Sequence, residues 1–224
     1  VTLQTLIKEE AEEMSDNGSI IPISDEQAKL GQEIIKAFSS LGSFFKDALG
    51  SVPSDLVGYM GGDWLRMRRA ENIAKMMNLT REKLETRGVK FTEPASLTVA
   101  LPILRGSADE SREELQDLWA RLMAAALDPS RSGKVRQGFA EVVSKMDPVD
   151  ALALEFLNNK KTIRNKAYDG GNQLTEYANE LNLSKDELET SVWHLSKLEL
   201  LDEFRMEQSG LTAFARELLL VVSD

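Results

Sequence analysis

The chain has 224 residues, 42% hydrophobic and 29% charged, with a formal net charge of -10, which places it among folded globular proteins and away from disordered or fibrous composition. It contains no cysteine, so disulfides, thiolate zinc sites, iron–sulfur clusters and cysteine nucleophiles are excluded, and a reducing cytoplasm fits. The charge is uneven: residues 36–90 carry 10 basic and 6 acidic groups while residues 146–224 carry 8 and 15, and the overall acidity argues against general nucleic-acid binding.

The opening "VTLQTLIKEEAEEM" has no basic segment ahead of an apolar one, so no signal peptide is expected in the chain as given. No run reaches the ~18–20 apolar residues of a membrane-spanning helix. A short acidic helix is expected here, ended by "SDNGSIIPIS", and residues 1–24 read as an N-terminal arm. A helix follows over about residues 25–49, capped by Ser24 or Asp25, with Leu30, Ile34, Phe38, Leu41 and Phe45 at helical spacing. Gly50 and Pro53 end it.

Between Ala37 and Gly62 twelve Ala, Gly or Ser residues are mixed with Phe44, Phe45, Leu49, Leu56, Val57 and Tyr59. Such a segment either packs tightly against other helices or rests on a bilayer surface. Lys46, Asp47 and Asp55 oppose its spanning a membrane.

In "GGDWLRMRRAENIAK", residues 61–75, Asp63 is placed to cap a helix that carries Trp64, Arg66, Arg68 and Arg69. Two readings compete. In one, Trp64 packs between helices and Arg69 pairs with Glu71 or a nearby acid. In the other, Trp64, Arg66, Arg68 and Arg69 form a binding patch for an anionic membrane surface, a phosphate or an acidic protein.

After Asn78, "LTREKLETRGV" predicts a second short helix with Thr80 as its cap and Gly88 as its stop. The apolar "LTVALPILRGS" carries Pro102, which predicts a kink or a helix start at that residue. The clearest helix is "DESREELQDLWARLMAAALDP", with Leu115, Leu118, Trp119, Leu122 and Ala126 on one face and Pro129 closing it. From Lys145 the order is helix, helix, a helix over 184–198 capped by Ser184, an alternating "LLDEFRMEQSGL", and a last helix in "TAFARELLLVV". That is the order of a winged helix-turn-helix domain, with 184–198 in the recognition position.

Catalytic constellations are sparse. His194 is the single histidine, which rules out a multi-histidine metal cluster and H-E-x-x-H, and any Ser-His-Asp triad would have to use it. No phosphate-binding glycine motif is present. Glu113, Glu114 and Asp117 share part of a helix face, the usual sign of a solvated side. On helix 184–198, Asp186, Glu187, Glu189, Trp193 and His194 form a candidate interaction surface whose acids would be repelled by DNA.

"GGDWLRMRRAENIAKM", "LTVALPILRGSADES", "EELQDLWARLMAAALDP" and "FAEVVSKMDPVDALALEFL", in that order, resemble the bacterial abortive infection alpha family. Trp64, Arg66, Arg69, Ala70, Glu71, Asn72, Leu115, Trp119, Leu122, Asp128 and Pro129 carry the resemblance, which covers residues from about 30 to 220. It implies a role in abortive infection, in which a phage-infected bacterium stops growing or dies before the phage multiplies, and it brings no catalytic motif with it.

Together these readings predict a mainly α protein: an arm to residue 24, a helical bundle over 25–144, and a winged-helix-like domain with a short β ribbon over 145–224. The expected function is phage defence by binding rather than catalysis, in the cytoplasm or peripheral to the inner membrane. No cofactor or metal is expected. A protein partner or self-association is expected, with an anionic membrane surface as a further partner and nucleic acid disfavoured. The alternative is a winged-helix transcription regulator or interaction module.

Overall fold

The computed structural model describes residues 63–159, 170–202 and 210–223. The N-terminal arm, the helix expected over 25–49, the small-residue segment and the turn of the expected ribbon lie outside the described residues. Within them the protein is mainly helical. Its α-helices are α1 (Asp63–Thr86), α2 (Leu97–Asp109), α3 (Glu113–Leu127), α4 (Gln137–Val143), α5 (Pro148–Asn159), α6 (Gly170–Glu180), α7 (Lys185–Lys197) and α8 (Ala213–Val222).

Helix α1 corrects the expected pair of helices around Asn78, because it runs unbroken through both. Thr80 does not cap. Its hydroxyl donates to the Met76 carbonyl at 2.9 Å and lies 3.4 Å from the carbonyl of Ala120. Buried against α3, that hydroxyl is satisfied one turn back along its own helix, so a cap-forming residue stays in the helix interior. The stop at Gly88 is as expected. With φ at +69°, Gly88 donates to Glu85 at 2.9 Å and Val89 donates to Leu84 at 3.0 Å, the paired bonds of a Schellman turn.

A Cβ at Gly88 would meet no atom within 4 Å, so Gly88→Ala tests the backbone alone. It is expected to cost about 1 kcal/mol, the penalty of a left-handed L-residue, read as a lower urea midpoint. An unchanged midpoint would show that the turn does not need the left-handed conformation.

Helix α2 begins at Leu97, five residues ahead of Pro102, so the start does not fall at the proline. Pro102 deprives only the Thr98 carbonyl of a donor, close to the helix N-terminus where interruption is tolerated. Helix α3 is the centre of the fold. Leu115, Trp119, Leu122 and Ala126 are buried as their spacing predicts, but so are Met123, Ala124, Ala125 and Leu127, while Leu118 is half-buried. The burial of residues 122–127 on every side follows from the helix's neighbours: α1, α2 and α4 pack on it, and so do α5 and α8. The buried residues form one contiguous core from Ala70 to Val222.

Helix α4 was not legible from periodicity. Its seven residues give too few turns for a pattern, and it is held by Phe139, whose ring meets Phe214 of α8 edge-on at 5.0 Å. The last helix is anchored at its far end by arginines of the preceding half: Arg87 donates to the Ser223 carbonyl at 2.8 Å and Arg131 at 2.5 Å, supplying donors to a helix C-terminus.

Helices α6 and α7 are joined by a short turn containing Asn182 at φ 57°. The start of α7 is a full capping box: the Ser184 hydroxyl accepts from the Glu187 N–H at 3.2 Å, and the Glu187 carboxylate accepts from the Ser184 N–H at 2.9 Å. Among the described residues, β pairing is confined to one antiparallel bridge between Leu201 and Leu211.

Candidate functional site

A chain of polar groups converges where the start of α5 meets α7. Pro148 opens α5, with Asp147 just before it. Asp150, one turn in, is 2% exposed. Its Oδ2 accepts from the Asp147 N–H at 2.7 Å, which fixes the carboxylate to its own helix start. Its Oδ1 accepts from the Ser191 hydroxyl at 2.7 Å, and its Oδ2 lies 2.7 Å from His194 Nδ1. Ser191 and His194 are three residues apart on α7, so both point to one helix flank.

The network continues outward through Asp147, whose carboxylate accepts from Arg112 at 2.8 Å. Arg112 also grips Glu110 with two nitrogens, at 3.0 and 2.9 Å, a bidentate pairing that fixes the linker between α2 and α3. Burial raises the Glu110 carboxyl, but the Arg112 side chain, its backbone N–H and its charge outweigh this and hold Glu110 below its ordinary 4.5. The guanidinium is raised in return, first by Glu110 and then by Asp147.

The sign of the pH effect follows. A carboxyl with a lowered folded-state value contributes stability that is complete above its unfolded-state value and lost as pH falls through the folded one. Arg112→Ala is therefore expected to flatten the loss of stability below about pH 4.5, measured by urea unfolding at neutral pH and across the acid range. An unchanged acid slope would show that other carboxylates carry it.

These contacts limit the chemistry. His194 and Ser191 do meet an aspartate, but the hydroxyl donates to the carboxylate and not to the imidazole, so the three are not in the relay of a serine hydrolase. The imidazole is oriented through Nδ1 and remains partly exposed, its side chain at 30%. Asp147, Asp150 and His194 each present one donor atom, all within 4.8 Å of one another.

The residues expected to form one surface on α7 divide. Asp186, Glu189 and Trp193 are exposed and share a face, where the Lys197 ammonium lies 5.3 Å from the centre of the Trp193 ring. Glu187 is spent on the capping box, where the Ser184 hydroxyl and N–H lower its carboxyl. His194 turns away to Asp150. No local pattern in the sequence distinguishes Asp147, Asp150, Ser191 or Arg112. The D-P-V-D spacing carries the signature of a helix start, but nothing local ties it to a histidine 44 residues further on.

The basic segment of α1 is engaged in ion pairs where it is described. Arg68 meets Glu71 at 3.0 Å, and Arg69 meets Asp109 of α2 at 2.6 Å, so Arg69 finds its acid on the neighbouring helix. The side chains of Trp64 and Arg66 lie outside the described residues. Lys75 approaches Glu113 at 3.4 Å, and Asp117 pairs with Lys83 at 2.8 Å and Arg121 at 2.6 Å. The carboxylates of α3 thus tie it to α1. No helix among the described residues is long and apolar enough to cross a membrane.

No curated protein and no solved structure matches the chain. Residues 68–215 match the family model described as abortive infection alpha. That span runs from the basic turn of α1 through the Asp150–His194 contact to α8, well over half of the chain, and the chain belongs to the abortive infection alpha family.

Proposed function

We propose that the chain acts in phage defence by binding a protein partner through the outward face of α7, and not by catalysis. The observation that carries this reading is Trp193, 59% exposed on a helix whose opposite side is held to α5 by Asp150. Tryptophan is enriched among the residues that anchor protein interfaces. Asp186 and Glu189 flank it on the same face, so the partner offers a pocket for the indole and basic or donor groups around it. The same carboxylates would repel phosphates, which favours a protein over DNA as the partner of this face.

Trp193→Ala is expected to leave stability within about 0.5 kcal/mol, as exposed substitutions do, while abolishing protection against phage in cells that accumulate the variant normally. The measurement is plaque efficiency with host survival. Full protection by a stable Trp193→Ala variant would sink the reading, and attention would pass to residues 37–62 and binding to vesicles of anionic lipid.

A further inference from the structure

We propose that Asp147, Asp150 and His194 form a binding site for one divalent transition cation of the zinc class. The site goes beyond the docking face of α7 and does not depend on it. One imidazole nitrogen and two carboxylate oxygens suit a borderline divalent metal. Their donor atoms lie within 4.8 Å of one another, and metal–ligand bonds of about 2.0–2.2 Å need only small side-chain rotations to close on a shared ion. Three protein ligands leave a coordination position for water.

The surroundings support the ligands. Asp150 is buried and positioned by the Ser191 hydroxyl and the Asp147 N–H, both 2.7 Å away, which are contacts that orient a metal carboxylate. Asp147 is 68% exposed on its side chain and free to turn toward an ion. Its present partner Arg112 has a second anchor in Glu110, so the guanidinium keeps a counter-charge when Asp147 turns. The carboxylates of Glu110, Asp147 and Asp150 and the guanidinium of Arg112 sum to a charge of -2, which a dication cancels.

The ion replaces the direct contact between His194 Nδ1 and Asp150 Oδ2, now 2.7 Å long. The positive end of α5 works against the ion and weakens binding by up to about fivefold.

The test uses the full chain, stripped with EDTA and free of any histidine tag. Zinc chloride is titrated by calorimetry, and cobalt(II) absorption reports the imidazole bond. With one histidine and no cysteine in the chain, an imidazole-dependent signal can come only from His194. The expected result is one ion per chain and a raised melting temperature, with binding weakened about tenfold or more by His194→Ala or by Asp147→Asn. Asp186→Asn, an exposed acid on the same helix, leaves it unchanged. Asp147 is exposed, so its variant keeps the fold readable where a change at Asp150 would not. Absence of saturable binding below millimolar zinc, or binding that survives His194→Ala, overturns the site. Neither result bears on Trp193, whose test is plaque protection.

Discussion

Trp119→Ala is expected to lower stability by about 3–5 kcal/mol, the range for removing a large aromatic from a packed core. Trp119 is 1% exposed on the central helix α3, and its ring lies directly over Gly106 of α2. A Cβ built at Gly106 would fall 2.5 Å from the ring carbon Cη2, well inside van der Waals contact. The close approach of α2 and α3 thus needs both residues: a wide flat ring on one helix and no side chain on the other. Gly106→Ala alone is expected to cost about 1–3 kcal/mol by overpacking.

The two effects are coupled. Once Trp119 is gone, the alanine at 106 has room, so the double variant should be more stable than the sum of the single losses implies. Urea unfolding of the four proteins closes the cycle. Strict additivity would mean that the ring does not rest on Gly106.

Asp150→Ala is expected to cost a similar amount, about 3–5 kcal/mol, for a different reason. The carboxylate holds three groups: the Asp147 N–H just ahead of its own helix, and the Ser191 hydroxyl and His194 imidazole of α7. Its removal leaves buried polar groups without partners and unfastens α7 from α5. Asp150→Asn retains the volume and one acceptor oxygen, so it should lose less. Hydrogen exchange read over residues 148–151 and 191–195 is expected to rise in step with the loss of stability, before the centre of α3 is affected. A loss below about 1 kcal/mol in Asp150→Ala would mean that water replaces the carboxylate at no great cost.

What could be read from the sequence was what neighbouring residues decide among themselves. The cap at Ser184, the glycine turn at Gly88, the buried stripe of Leu115, Trp119 and Leu122 and the last helix after Thr212 all depend on groups within a few positions of each other. The ordered segments that resemble the abortive infection alpha family were legible for the same reason, and the family model matches residues 68–215.

The tertiary structure decided which local options were used. Thr80 is cap-forming by type, yet its burial beneath α3 keeps it inside one long helix. Seven residues made a helix at 137–143 because Phe139 found Phe214, a partner 75 positions away. Arg69 was drawn to Asp109 on α2 and not to Glu71 beside it. Most of all, the helix carrying His194 could be recognised from its own pattern, but the aspartate that orients the imidazole stands 44 residues earlier. Periodicity and capping are short-range and survive in a linear reading. Which flank of a helix meets a neighbour, and which charge is thereby fastened or left in water, is settled only when the helices pack.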